Sequence, residues 1–341
     1  MQAMVDALHR EMELSRGFIE PPIDTVYFGG GTPSLLSTHS IEGLMRALAE
    51  RYPIAEDAEV TLEANPDDIF PERLDAWKAS GINRLSIGVQ SFREEDLRWM
   101  NRAHDAAQAR EAILLARGAG FGHDSIDLIY GTPGLTDADW ERNIRTAIEL
   151  GCPHLSCYAL TVEPRTALAA SGVYVDPEAQ ARQFLLGAEW LTLAGYEHYE
   201  ISNFALPGHR SRHNSSYWQG MPYLGLGPSA HSFDGRVRRW NVSNNALYLQ
   251  SIAAGAVPYE EEVLTPVQRL NEYIMTSLRT MEGLDLEKIA STWGESVRVI
   301  LERKAGAYEA RARMVDARMI LTPEGKLFAD GIAADLFFED I

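Results

Sequence analysis

Cysteine is almost absent from this chain: Cys152 and Cys157 are the two thiols among 341 residues. Both flank the strand-like segment Pro153-His154-Leu155-Ser156-Cys157-Tyr158, where small apolar thiols fill core space, so no metal site is expected from the pair. Basic charge is also scarce. Lys and Arg number 31 against 49 Asp and Glu, for a net charge of −18 and a pI near 4.9. That balance argues against a nucleic-acid partner, which needs a basic surface to meet phosphates. No run approaches the ~18 apolar residues of a membrane span. The N-terminal stretch carries Asp6, Arg10, Glu11 and Glu13 on a helical pattern, unlike a signal peptide, so a cytoplasmic protein is expected. Internal repeats and low-complexity tracts are missing too. With 45% hydrophobic and 23% charged residues the composition is that of a globular protein, and the length suggests one large domain with a smaller one attached.

What the chain does have is a strand closed by glycines, Thr25-Val26-Tyr27-Phe28-Gly29-Gly30-Gly31-Thr32-Pro33-Ser34. The apolar run reads as a buried strand, and the Gly-Gly-Gly-Thr-Pro that follows reads as a turn. Glycines there can take positive φ and present backbone groups to an amino acid's ammonium or carboxylate. Further strands are predicted near 59–64, 84–90, 124–130 and 154–160, with a weaker sixth at 197–202. Between them lie amphipathic helices, such as the one through Ile41, Leu44, Met45 and Leu48 and the one that Thr136 caps ahead of Trp140 and Ile144. This alternation predicts βαβ units and a parallel sheet.

Ligands of parallel barrels meet the C-terminal ends of the strands. Here those ends carry the glycine turn, Glu63, Gln90 and Asp127. One polar strand end is usually a loop hydrogen-bonder, but four together point to a site. Glu63 can accept from a ribose diol or an ammonium, Gln90 both donates and accepts, Asp127 can offset a cation such as a sulfonium, and Arg102 can clasp a carboxylate. Ribose, sulfonium and amino acid together describe S-adenosylmethionine.

Phe28-Gly29-Gly30-Gly31-Thr32-Pro33-Ser34, Leu62-Glu63-Ala64-Asn65-Pro66, Gly88-Val89-Gln90-Ser91-Phe92, Asn101-Arg102 and Ile126-Asp127-Leu128-Ile129-Tyr130-Gly131 resemble, in order and spacing, the oxygen-independent coproporphyrinogen III oxidase family of radical SAM proteins. Downstream, Arg212-His213-Asn214-Ser215-Ser216-Tyr217-Trp218 and the Gly225-to-Ser232 segment resemble the HemW-type heme chaperones within that family. The resemblance covers essentially the whole chain. It implies a partial (β/α)6 TIM-like barrel lacking its first strand, with a small C-terminal helical, winged-helix-like domain, so the expected divisions are 1–202, 203–260 and 261–341. It also implies that Gly30, Gly31 and Thr32 hold the methionyl part of S-adenosylmethionine, and that Glu63, Gln90, Arg102 and Asp127 line the rest of its site.

Family members carry a C-x3-C-x2-C loop, ahead of the first helix, for a 4Fe-4S cluster. This chain starts just after that point, so an upstream coding start is expected; as written, the chain is expected not to cleave S-adenosylmethionine. No catalytic residue and no metal ligand is assigned. The resemblance implies a chaperone that binds heme and S-adenosylmethionine and passes heme to acceptor hemoproteins, a membrane-associated acceptor included. The alternative is an oxygen-independent coproporphyrinogen III oxidase (dehydrogenase) of porphyrin biosynthesis, acting on propionate side chains through a 5′-deoxyadenosyl radical; a third is a cluster-free binding protein. The His213-to-Trp218 block favours the chaperone.

Residues 203–240, rich in Gly, Ser, His, Arg and aromatics, read as a loop closing over a flat ligand, with His209, His213 and His231 as candidate axial ligands and His213 preferred. Asp176-Pro177 opens a helix through Phe184 and Leu191, and Thr265-Pro266-Val267-Gln268 reads as a capping box. The tail Met319 to Phe328 reads as a hairpin, giving the winged-helix-like ending.

Overall fold

The computed structural model describes residues 1–340. Thirteen strands run β1 (Ile23–Phe28), β2 (Ile54–Ala64), β3 (Arg84–Gln90), β4 (Ser125–Tyr130), β5 (His154–Ala159), β6 (Glu197–His198), β7 (Asn203–Ala205), β8 (His231–Phe233), β9 (Val237–Asn241), β10 (Tyr259–Val263), β11 (Leu284–Asp285), β12 (Ala312–Val315) and β13 (Arg318–Leu321). The helices are α1 (Gln2–Leu14), α2 (Thr38–Arg51), α3 (Pro71–Ala79), α4 (Glu94–Trp99), α5 (Ala106–Gly118), α6 (Asp137–Glu149), α7 (Ala167–Ala170), α8 (Pro177–Leu193), α9 (Arg212–Trp218), α10 (Asn245–Ala253), α11 (Pro266–Leu278), α12 (Leu286–Trp293), α13 (Glu295–Ala305), α14 (Pro323–Lys326) and α15 (Ala329–Leu336). None is long and apolar enough to cross a membrane.

Strands β1 to β5 pair in parallel and in sequence order, as helix-separated strands should. Side chains alternate across a strand, and the register sorts them sharply. Val26, Phe28, Val60, Leu62, Leu85, Ile87, Ile126, Leu128, Leu155 and Cys157 fall on one face and pack with Trp77, Ile113, Trp140 and Ile144 of the covering helices. Burying each such Leu or Ile stabilises the fold by about 1.5–3 kcal/mol. The opposite face carries Thr25, Tyr27, Thr61, Glu63, Arg84, Ser86, Ser125, Asp127, His154 and Ser156. A hydrophilic inner face is unusual for parallel strands, which are ordinarily apolar on both sides. It is the first structural sign of a ligand.

Three expectations need correction. The sixth strand is an antiparallel ribbon: β7 pairs antiparallel with β5, and β6 adds antiparallel to β7, the chain bending through 199–202. Residues 203–240 are not a plain loop, because they contain β7, α9, β8 and β9. Poor helix formers such as Asn214 and Ser215 hid α9, whose start is fixed instead by Ser211 Oγ, accepting from Asn214 N, and by the Glu59 carboxylate, accepting from the backbone N–H of Arg212 at 3.0 Å and of His213 at 2.9 Å. Finally, the C-terminal hairpin is β12–β13, ending at Leu321 rather than running to Phe328. Thr322-Pro323 does not turn a hairpin; Thr322 Oγ1 caps α14 by accepting from Gly325 N, with Pro323 at the first helical position.

The C-terminal lobe matches the winged-helix-like expectation, with α11, α12 and α13 against a small sheet ordered β11-β13-β12 and a separate core built on Leu270, Ile274, Ile289, Met319 and Ile332. The Thr265/Gln268 capping box is formed as expected. A sheet of β10, β9 and β8 lies between, tied to α1 by buried Glu11, which accepts from Gly227 N, Asn241 Nδ2 and the Tyr248 hydroxyl.

Candidate functional site at the strand C-termini

The polar face concentrates its charge toward the C-terminal ends of β1 to β4. The Tyr27 hydroxyl donates to Glu63 Oε1 at 2.8 Å, and Gly30 N donates to Oε2 at 3.2 Å, so the glycine turn and the end of β2 are joined through one carboxylate. Gly30 and Gly31 sit at φ of 77° and 69° with open space where a side chain would stand, leaving their backbone accessible. Thr32 starts the short 3-10 turn Pro33–Leu35 through its carbonyl, and its hydroxyl caps nothing.

Gln90, Arg102 and Asn65 gather over Gly88. A Cβ at Gly88 would lie 3.0 Å from Gln90 Nε2, 3.4 Å from Arg102 Nη2 and 3.4 Å from Asn65 Oδ1, so the three polar side-chain ends meet over its Cα. Gln90 itself adopts a φ of 68°, an uncommon conformation for a residue with a side chain and one that re-aims it at the strand end. Arg102 Nη2 donates to Asn65 Oδ1 at 2.6 Å and to the Gly88 carbonyl at 3.2 Å, while its buried Nε has no partner among the described residues. Such an orphaned guanidinium donor is costly unless a ligand completes it.

Asp127 stands between these groups and β5. Burial pushes its carboxyl up to about 7, with the negative charge of Glu63 adding to the effect, while the Ser156 hydrogen bond and the Arg102 charge pull the other way. A cation brought beside it would restore the carboxylate. The orphaned Arg102 Nε, the open glycine turn and the proton-holding Asp127 together suit a ligand that carries a carboxylate, an ammonium and a further positive centre. S-adenosylmethionine has that chemistry.

His213 enters the same region from α9. Its Nδ1 lies 2.8 Å from Thr25 Oγ1, and its ring stacks on Tyr27 with centroids 4.7 Å apart and planes 17° from parallel. Tyr217 lies perpendicular to the same ring with centroids 5.0 Å apart. Burial lowers its pKa to about 4, so the imidazole is neutral at physiological pH. The other two candidate histidines lie elsewhere. His209 faces His123 with centroids 4.6 Å apart, and exposed His231 stands 6.4 Å from Trp240.

Of the sequence-based residue set, Gly30 is joined to Glu63, Gln90 and Arg102 meet at Gly88, Asp127 lies within electrostatic reach of Glu63 and Arg102, and His213 stacks on Tyr27. Sequence reasoning missed Tyr27, Thr25, Asn65 and Ser156. Strand alternation could have found three of them, because Thr25 and Tyr27 share a face with Glu63, and Ser156 pairs in register with Asp127. The thiols do not fit an iron–sulfur cluster: Cys152 and Cys157 are buried in the apolar core on the helix side, and burial pushes both thiols well above their usual range. Among the described residues no group of three or more His, Cys, Asp or Glu could hold a metal ion.

Comparison with known proteins agrees with this geometry. The Radical SAM superfamily matches residues 5–147. The heme chaperone HemW of Mycobacterium tuberculosis is 35% identical over 337 residues, spanning 97% of this chain and 85% of that protein. The heme chaperone HemW of Escherichia coli is 39% identical over 244 residues, 70% of this chain and 64% of that one. Among solved structures, the radical SAM enzyme coproporphyrinogen III oxidase (HemN) from Escherichia coli superposes with a TM-score of 0.86 at 25% identity, covering 98% of this chain and 83% of its own. A parallel sheet with a polar, ligand-ready inner face and relatives of this similarity over nearly the full length lead to one assignment: the chain belongs to the HemW family of radical SAM proteins.

Proposed function

We propose that this protein binds heme and S-adenosylmethionine and delivers heme to acceptor hemoproteins in the cytoplasm. The observation that carries the reading is the placement of His213. Thr25 engages Nδ1, which leaves Nε2 as the nitrogen for iron, and the low pKa keeps the ring unprotonated. Gly30, Gly31 and Thr32 would hold the methionyl end of S-adenosylmethionine, and Glu63, Gln90, Arg102 and Asp127 the remainder. A 4Fe-4S cluster supplies the electron for radical chemistry in this superfamily; the residues of this chain bind and orient, and Asp127 holds a proton that a cationic ligand displaces. The names of the relatives support a chaperone.

The test is a heme titration followed in the Soret region. Wild-type protein should give a shifted, saturable Soret band, and His213→Ala should lose most of that affinity. An unchanged spectrum would remove His213 as the ligand. The likeness to coproporphyrinogen III oxidase favours a second reading, in which a full-length, cluster-loaded protein decarboxylates coproporphyrinogen. Turnover in that assay would replace the chaperone reading.

A further inference from the structure

We propose that the cavity between α8 and the C-terminal lobe is a separate ligand site, suited to a small aromatic carboxylate. The inference does not depend on the function proposed above and uses none of its residues. The cavity holds about 500 Å³, within the usual range of small-molecule sites, and lies where the main core and the core of the C-terminal lobe adjoin. Phe184, Ile201 and Phe328 supply apolar wall, while Arg279, Arg311 and Lys326 bring three cations to it. In a chain of net charge −18 that grouping of basic residues stands out.

Their charges are incompletely answered. Lys326 is only 9% exposed, its Nζ donates to a single acceptor, the His198 carbonyl at 3.0 Å, and among the described residues no carboxylate stands within ion-pair distance of it. An ammonium has three donors. Burial pulls its pKa down to about 8, with Glu200 and Glu282 opposing that only from a distance. Arg311 lays its guanidinium 3.7 Å over the Phe328 ring and has no carboxylate partner among the described residues. Arg279 reaches Asp330 through Nη1 at 2.7 Å, yet its buried Nε has no partner among the described residues. The other carboxylate at the cavity, Asp335, is taken by the Tyr308 hydroxyl. Helix α15 starts at the same wall without a side-chain cap, and the N–H groups of Ala329, Asp330 and Gly331 have no acceptor among the described residues. An anion entering here completes several of these donors at once. A bare inorganic ion would leave Phe184 and Ile201 uncovered, which is why the ligand is assigned an aromatic body.

The experiment is calorimetric titration of the whole chain with 2-naphthoate and with its neutral counterpart 2-naphthylmethanol, in wild type, Lys326→Met and Arg311→Gln. Wild type should bind naphthoate at one saturable site and the alcohol at least about tenfold more weakly, through the loss of charge-assisted hydrogen bonds. Lys326→Met keeps an unbranched side chain and deletes the charge. It should weaken naphthoate at least about tenfold and leave the alcohol within about threefold of wild type. Arg311 is exposed, so Arg311→Gln leaves the fold intact and gives the reading even if Lys326→Met does not fold; a loss of about 3- to 5-fold is expected. Absence of binding to wild type, or equal affinity for acid and alcohol, would overturn the proposal. So would an affinity for naphthoate that neither substitution changes, which would place the probe elsewhere on the protein.

Discussion

The two ends of the polar sheet face use the same residue types to opposite effect. At the N-terminal end, Glu59 accepts from Arg212 N, His213 N and Ser211 Oγ and faces Arg84 at 3.5 Å; Arg84 donates in turn to Ser125 Oγ at 2.6 Å. His154 Nε2 meets the Tyr199 hydroxyl at 2.7 Å. The Glu59 carboxylate and the Arg84 guanidinium are answered by the protein, and the result is architecture: α9 is fastened to the sheet. At the C-terminal end, Arg102 keeps an unanswered Nε among the described residues, burial pushes the Asp127 carboxyl up to about 7, and Gly30 and Gly31 stand open. Incomplete polar groups are where a ligand is expected, since burial without a partner costs stability that binding can restore.

The largest effect that would sharpen the contrast is at Glu59. Removing it by Glu59→Ala leaves Arg84 buried without a carboxylate and strips the start of α9, so a loss of about 3–5 kcal/mol in chemical denaturation is expected. Glu63→Gln, the matched change at the other end, should alter stability by less than ~1 kcal/mol yet weaken S-adenosylmethionine by at least about tenfold, from the loss of a charge-assisted bond worth about 1.5–3 kcal/mol. Calorimetric titration and a urea melt on both variants decide this. If Glu63→Gln unfolds as readily as Glu59→Ala, the division between architecture and ligand site fails.

A smaller effect is expected in the glycine turn. Gly30→Ala meets no atom within 4 Å, so its penalty is purely conformational, about 1 kcal/mol for a residue held at a φ of 77°. The melt should show that loss. A Gly30→Ala protein as stable as wild type would mean the turn relaxes freely and does not hold its N–H toward Glu63.

Much of the open end was legible in the sequence, and less of the closed end. Gly30, Glu63 and Gln90 follow apolar strand runs, so their places at or next to strand ends could be read from local pattern alone, whereas Asp127, expected at a strand end, sits inside β4 with three residues of the strand after it. Glu59 could not, because Ser211, Arg212 and His213 are 152 to 154 residues away, at the start of a helix whose Asn and Ser content conceals it, and Arg84 is answered by Glu59 and Ser125, 25 and 41 residues away on the neighbouring strands. The same holds for the sixth strand. Its apolar pattern is present, but direction is set by pairing with β5, which no window of sequence contains. The C-terminal hairpin was displaced for a local reason: Thr-Pro suits both a turn and a helix start, and the cap to Gly325 N decides.

The last test concerns the Asp127 proton; burial also pushes Asp124, at the N-terminal start of β4, up to about 7, so the comparison is made on the Asp127 variant. Asp127, moved from 3.8 to about 7, binds a proton in the folded state across roughly pH 4–7 that the unfolded chain has released. The Asp127 contribution to the stability of the ligand-free protein should therefore fall as pH rises through that window, and Asp127→Asn should recover stability at pH 8 and almost none at pH 4. Ligand affinity should run the opposite way. A cationic centre favours the ionised carboxylate, which is the minority form at pH 6 and the majority form at pH 8, so S-adenosylmethionine should tighten about 5- to 10-fold over that interval in wild type and stay flat in Asp127→Asn. His213, already neutral above its pKa of about 4, contributes no slope there. An identical pH slope in both proteins would assign the titrating group elsewhere and leave Asp127 on the structural side of the comparison.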